Sequence, residues 1–283
     1  VPLRQACQAA GLSTTNLRPL RRHAADVYLL PAEHAVAKIA HCQHDAAAAQ
    51  RAVDITRWLR THQFPAIEPL DVAQPVTLDE HTVTFWRFYP QHDRTPPPPS
   101  ALGRLLRQFH ALPTPPVALP TYTPLAGLDG LITENSTLHD VERRWLLDQR
   151  ERLLEDYEHL DSPLGTGHIH GDAYPGNTLW DDDAVLLGDW DEVATGPREL
   201  DLANTIQGTR FGRTPGELDG FARAYGHDPR DWNGLRTLVT LRDLHTLGSY
   251  LRRAPLDPNA AAELHHRVTT LRTHDDRAHW NAA

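Results

Sequence analysis

The chain has no methionine, two cysteines and a single lysine among 283 residues. Cys7 and Cys42 are too few for a disulfide framework and lack the spacing of a metal site, so both are expected to be idle thiols and the fold to rest on an apolar core. No apolar run approaches the roughly 20 residues of a membrane-spanning helix, which predicts a soluble protein with no membrane partner. Residues 1–8 show no basic segment leading into an apolar stretch, so no secretory signal is expected in this sequence and a cytoplasmic location follows. Positive charge is also scarce. With 28 Lys and Arg against 37 Asp and Glu, the formal net charge is −9. That balance argues against nucleic acid as a partner, because phosphate backbones are held by clustered Lys and Arg. It is compatible with a cationic ligand, although moderate acidity mainly serves solubility. At 40% hydrophobic residues the chain can bury a substantial core without a partner, so a monomer is the default.

The one lysine, Lys38, is itself a signal. A coding bias toward arginine accounts for the other basic residues, whereas a retained lysine supplies a compact ammonium in place of a planar fork. Residues 27–30 and 35–39 read as short strands joined by Pro31-Ala-Glu-His34, a hairpin that carries Lys38 on its second strand. An Ala-rich stretch, 46–59, offers a helical apolar face through Val53, Ile55, Trp58 and Leu59. Residues 72–78 and 82–88 look like two further strands. The Pro-rich run at 93–100 then interrupts regular structure, with Ser100 expected to cap the next helix. Helical periodicity follows at 101–112, 138–159, 217–225, 235–251 and 259–271.

The sharpest motif is His168-Ile-His170-Gly-Asp172-Ala-Tyr-Pro-Gly-Asn177, followed by Leu186-Leu-Gly-Asp189-Trp-Asp191. Phosphoryl transfer needs Mg²⁺ on hard oxygen ligands and a carboxylate beside the attacking hydroxyl, and three carboxylates with an amide offer both. In protein kinases a catalytic Asp precedes a metal-binding Asn by five positions and a second metal-binding Asp follows, the order of Asp172, Asn177 and Asp189. Turn formation alone would explain one Asp-Gly pair but not the ordered set. A zinc site on His168 and His170 is the other reading, since alternate strand residues share a face, but no third and fourth ligands stand out nearby.

With Gly171 where protein kinases carry Arg, and Asp189-Trp190-Asp191 in place of Asp-Phe-Gly, the segment resembles the aminoglycoside phosphotransferase and choline kinase-like family of small-molecule kinases. The likeness runs on through Gly196-Pro-Arg-Glu-Leu-Asp201-Leu-Ala203. The resemblance implies an α+β, two-lobed protein-kinase-like fold. Residues 1–90 would form a small β-sheet lobe with one main helix that binds nucleotide. Residues 91–283 would form a larger, mainly helical lobe with the catalytic loop, metal site and acceptor site. It implies Asp172 as catalytic base, Asn177 and Asp189 as Mg²⁺ ligands, and Lys38 on the phosphates of ATP or GTP, with support from His170 and Asp191. Residues 20–27 align with the loop over the triphosphate, where Arg21 and Arg22 would bind anions, and Phe88 and Tyr89 fall at the hinge beside the base.

Two departures stand out. The phosphate loop has no glycine, and the helix after Lys38 places Ala52 where a lysine-pairing Glu is expected, with Asp45 and Asp54 the nearest carboxylates. The expected activity is transfer of a γ-phosphoryl group to a hydroxyl of a small molecule, above all an antibiotic such as an aminoglycoside. An amino alcohol or sugar kinase is the alternative, and a nucleotide-binding regulator without catalysis is the rival from another class. No activation segment ending in Ala-Pro-Glu follows Asp189, which argues against a protein kinase.

Overall fold

The structure is a computed structural model that describes residues 2–22, 26–40, 45–79, 81–91 and 94–281. A short helix, α1 (Pro2–Ala9), precedes the strands β1 (Arg18–Arg22), β2 (Asp26–Leu30) and β3 (Ala35–Ala40). The helix α2 (Asp45–Thr61) and the strands β4 (Val76–Leu78) and β5 (His81–Arg87) follow. The five strands form one antiparallel sheet in the order β1-β2-β3-β5-β4. Along β3 burial alternates with the two-residue period of a strand. Ala35, Ala37 and Ile39 join Leu3, Cys7, Leu30, Val83 and Phe85 in one apolar cluster. Lys38 therefore shares the opposite face with Val36, which packs against the apolar cluster that contains Trp86, Leu187 and Trp190.

The expected hairpin forms, its strands joined by a 3-10 turn at Pro31–Glu33 with His34 in the left-handed region at φ 48°. Residues 20–27 are not a single loop: Leu20 to Arg22 belong to β1, and Asp26 and Val27 to β2. Arg18-Pro-Leu-Arg-Arg is an edge strand, polar and bulged between Pro19 and Arg21, and its described side chains, Arg18 to Leu20, are exposed, so no alternation marks it in the sequence. Residues 23–25 lie outside the described residues. The expected strand at 72–78 shortens to β4, since Pro75 has no N–H for a ladder and the side chain of Gln74 bonds Leu70 O and Phe85 N instead.

The rest of the chain is mainly helical. It runs α3 (Pro99–Ala111), α4 (Leu128–Glu134), α5 (Asp140–Glu158), β6 (Thr166–Ile169), β7 (Thr178–Asp181), β8 (Ala184–Leu187), β9 (Ala194–Pro197), α6 (Glu199–Ile206), α7 (Pro215–Tyr225), α8 (Leu235–Arg253) and α9 (Pro258–Arg272). Two short antiparallel ladders, β6 with β9 and β7 with β8, sit among these helices. Ser100 does not cap α3: Pro98 is the N-cap and Pro99 takes the first helical position, where its fixed φ starts the helix. Gly103 lets α3 meet α7 closely, since a Cβ there would lie 2.5 Å from Phe221 O.

Two apolar clusters fill this part. Leu146, Leu153, Leu244, Leu247 and Leu264 draw α5, α8 and α9 together. Trp190 joins Phe64, Leu106 and Phe109 in the second. The Trp190 ring, 1% exposed, meets Phe109 edge-on at 5.0 Å and Phe64 at 6.0 Å. Truncating such a ring costs about 3–5 kcal/mol. Trp190 thus anchors in the core the short segment that carries Asp189 and Asp191.

Candidate active site

β6 ends at Ile169, and the backbone then turns through His170, Gly171 and Asp172 into a 3-10 turn at Pro175–Asn177. The following hairpin pairs Thr178 with Leu187, so Asn177 and Gly188 face each other at its open end, joined by a 2.8 Å bond from Gly188 N to Asn177 O. Asp189 comes next, in the left-handed region at φ 60°. The hairpin register is therefore what brings Asn177 and Asp189 to one end.

Buried groups of α6 hold the turn. Asp201, fully buried, accepts from His170 N at 2.8 Å and Gly171 N at 2.9 Å, and pairs with His110 Nε2 at 2.9 Å. Burial works against its charge, but the bond and charge of His110 and the backbone donors outweigh it and hold the carboxyl below its ordinary value. His110 Nδ1 in turn meets Tyr225 Oη at 2.9 Å, and Asn204 Nδ2 donates to Gly171 O at 3.0 Å. Gly171 is required at φ 83°, and a Cβ there would lie 2.3 Å from Glu192 O.

The histidines serve this scaffold and not a zinc ion. His168 Nε2 donates to Phe109 O at 2.7 Å, and burial pushes its pKa down. His170 lies past the end of β6, where Gly171 breaks the strand alternation; its Nε2 donates to Gly188 O at 2.8 Å, and its Nδ1 accepts from Asp172 N at 3.3 Å. The two carbonyl partners fix both rings with a proton on Nε2.

Asp172 has two different neighbours. Asn177 Nδ2 donates to its Oδ2 at 3.1 Å and to its main-chain oxygen at 2.9 Å. Arg242 of α8 makes an ion pair with Oδ1, Nη2 to oxygen 2.5 Å, yet off the hydrogen-bonding direction, so this buried oxygen has no aligned donor among the described residues. Lys38 Nζ lies 2.6 Å from both Asp189 Oδ1 and Asp191 Oδ2. Burial disfavours the ammonium, but Asp189 and then Asp191 outweigh it and raise the Lys38 pKa. Among the described side chains of α2 none supplies the lysine's carboxylate: Ala52 is buried, Asp54 bonds Gln50 at 2.9 and 3.0 Å, and the Asp45 side chain lies outside the description.

Three residues near this centre carry no signal in the sequence beyond their charge. Besides Arg242, Glu192 is open to solvent yet surrounded by protein, as on the wall of a cleft; burial and then Asp172 and Asp191 push its carboxyl up. His245, on α8, is likewise solvent-facing and surrounded, and burial followed by Arg242 pushes it down to about 4. Just after β5, Phe88 N donates to His34 O at 2.9 Å, and the Tyr89 hydroxyl accepts from Glu68 N at 3.2 Å. Gln91 ties this segment to β7 through Trp180 N and O, 2.9 Å each. The side chains of Arg21 and Arg22 lie outside the described part.

The geometry can be compared with known proteins. No curated protein sequence matches the chain. Among solved structures, an amicoumacin kinase bound to AMP-PNP, Ca²⁺ and its antibiotic superposes with TM-score 0.77 at 15% identity, covering 99% of this chain and 95% of that one. A microcompartment-associated aminopropanol kinase gives 0.69 at 16%, covering 95% and 94%. A spectinomycin phosphotransferase with ADP and spectinomycin gives 0.60 at 17%, covering 96% and 93%. These likenesses show a shared kinase-like fold. The sequence pattern of the phosphotransferase enzyme family matches residues 16–238, a span from β1 into α8 that contains Lys38, the turn after β6 and the Asp189 segment. The chain belongs to that family.

Proposed function

We propose that the chain is a Mg²⁺-dependent O-phosphotransferase that moves the γ-phosphoryl group of ATP or GTP to a hydroxyl of a small molecule, with an antibiotic such as an aminoglycoside as the acceptor. The observation that carries this reading is the convergence of Lys38, Asp189 and Asp191 from two distant parts of the chain, beside a turn that holds Asp172 against Asn177. The nucleotide would lie between a lobe of residues 1–90 and one of residues 91–283.

The donor set fits Mg²⁺. Asn177 directs its Nδ2 at Asp172, which leaves its amide oxygen as a hard ligand, and the Asp189 carboxylate is 39% exposed. When bound, the metal neutralises charge on the phosphate oxygens. The Asp172 carboxylate, 21% exposed and held by Asn177 and Arg242, would accept the proton of the acceptor hydroxyl. Lys38 meets the phosphates, and Asp191 holds it there in place of the missing helix glutamate. Arg21 and Arg22 would meet phosphate from β1, Phe88 and Tyr89 would flank the base, and His170 supports Asp172 through its backbone N–H.

A cationic acceptor is compatible with the carboxylates of Asp172 and Glu192 and with the net charge of −9. Similar proteins named for amicoumacin and spectinomycin support an antibiotic. Similarity to an aminopropanol kinase supports the second reading, an amino alcohol kinase. Among the described residues no helix is long and apolar enough to cross a membrane, and the reading is of a cytoplasmic monomer. The test is mass spectrometry of antibiotics, amino alcohols and sugars after incubation with Mg·ATP or Mg·GTP. An acceptor that gains one phosphoryl group supports the reading; tight nucleotide binding with no phosphorylated acceptor favours the regulator.

A further inference from the structure

A second group of ligand side chains meets on two helices that supply none of the residues named for the cleft. His139 and Glu142 stand at the start of α5 and His265 on α9, and one ligand atom from each lies within 4.8 Å of the others. The three-residue spacing puts His139 and Glu142 on one face of the first helical turn. Both helices pack against α8, and this fixes His265 opposite that face. Its Nδ1 lies 3.0 Å from Glu142 Oε1. The imidazoles of His139 and His265 stack with centroids 5.0 Å apart and planes 22° from parallel.

The carboxylate is prepared before any ligand arrives. Glu142 is 5% exposed, and its Oε2 accepts from His139 N at 2.9 Å, which leaves Oε1 facing the two rings. A fixed outer contact of this kind orients a ligating group. His139 is exposed and His265 half-buried, so the group opens to solvent on one side. Two imidazoles and one carboxylate suit a borderline divalent transition cation, whereas Mg²⁺ and Ca²⁺ prefer all-oxygen sets. A tetrahedral zinc ion with bonds near 2.0–2.1 Å holds its ligand atoms about 3.3 Å apart, so only a modest turn of the exposed His139 side chain is needed. A hydrogen bond between His265 and Glu142 is all that a structural role requires. The capping box of α5 seats the His139 side chain beside Glu142, and the His265 ring from α9 completes a set of three ligand groups.

We propose that His139, Glu142 and His265 bind a divalent transition cation, zinc being the expected occupant, which clips the start of α5 to α9 and completes its coordination with water. The site is separate from the Mg²⁺ ligands proposed in the cleft.

The test is calorimetric titration of Zn²⁺ into the full, tag-free chain after chelator treatment, with Mg²⁺ in large excess to occupy hard-oxygen sites, paired with thermal melting. The expected result is one zinc per chain and an upward shift in Tm. In His139→Gln and in His265→Gln the affinity should fall by more than the roughly 10–100-fold that loss of an outer-shell partner costs, and the shift should vanish. Asp189→Asn should keep both. His139 is exposed, so its variant is expected to fold, with a somewhat lower zinc-free Tm from the lost capping contact, and keeps the test valid if His265→Gln folds poorly. Absence of 1:1 binding by the wild type, or wild-type zinc affinity in His139→Gln, would overturn the proposal.

Discussion

Arg242 Nη2 stands 2.5 Å from Asp172 Oδ1, so the helix α8 fixes the position of the carboxylate after β6. Both side chains are largely shielded, at 14% and 21% exposure. Removing one partner of so shielded an ion pair leaves the other charge uncompensated. Arg242→Gln is therefore expected to lower kcat/KM for the acceptor by about 10–100-fold, with KM for the nucleotide nearly unchanged. Steady-state kinetics with each substrate varied in turn checks this, and an unchanged acceptor kcat/KM would reject the role.

Lys38 and Asp191 yield a second expectation. Once Asp189 turns to a metal, Asp191 is the remaining carboxylate on the ammonium, so Asp191→Asn should raise KM for the nucleotide by about 10-fold. Asp191→Glu should recover part of that loss. Lys38→Arg should not restore wild-type kinetics, because a planar fork does not replace a compact ammonium between two carboxylates. Equal nucleotide KM in Asp191→Asn and the wild type would show that Lys38 needs no such support.

Asp201 links stability to the active turn. Asp201→Ala leaves His110 and two backbone donors unpaired in the core, a cost of about 3–5 kcal/mol measurable by urea denaturation. Its folded pKa lies below the ordinary value, so the stability it confers is present above the unfolded carboxylate pKa of about 3.9. That stability is lost as pH falls through the lower folded value. Wild type should therefore lose stability below about pH 4 more steeply than Asp201→Asn. Parallel acid profiles would exclude this linkage.

Gly171→Ala tests the turn itself. A methyl group would meet Glu192 O and occupy a left-handed backbone, so the turn must shift. A stability loss of about 1–3 kcal/mol is expected. The loss in kcat should be larger, about 100-fold, because a shift near 1 Å spoils the placement of Asp172. Thermal melting and initial rates separate the two effects, and wild-type kcat would show that the turn tolerates a side chain.

Local patterns made much of this legible. Turn residues marked the hairpin that carries Lys38 on its second strand, and the spacing of Asp172, Asn177 and Asp189 marked the segment whose ends the β7–β8 hairpin brings together. What sequence reading missed is non-local or weakly patterned. Nothing near Lys38 in sequence marks Asp191 as its partner, and nothing in the apolar periodicity of α8 marks Arg242. The described side chains of the edge strand β1 are all exposed and show no alternation, and α4, with seven residues, is too short for periodicity to register. Nothing in the sequence around His168 and His170 marks the two distant backbone oxygens, of Phe109 and Gly188, that their Nε2 atoms meet in place of a metal.

The central claim is that Asp172 is the base of a phosphoryl transfer to a small-molecule hydroxyl. Its most direct measurement is acceptor-dependent release of ADP or GDP by the wild type and by Asp172→Asn, each with Mg·nucleotide affinity measured alongside. The account predicts release with at least one acceptor, a fall of about 10²–10⁴-fold in the variant, and nucleotide affinity within a few-fold of wild type. Acceptor-dependent release by Asp172→Asn at the wild-type rate would contradict it.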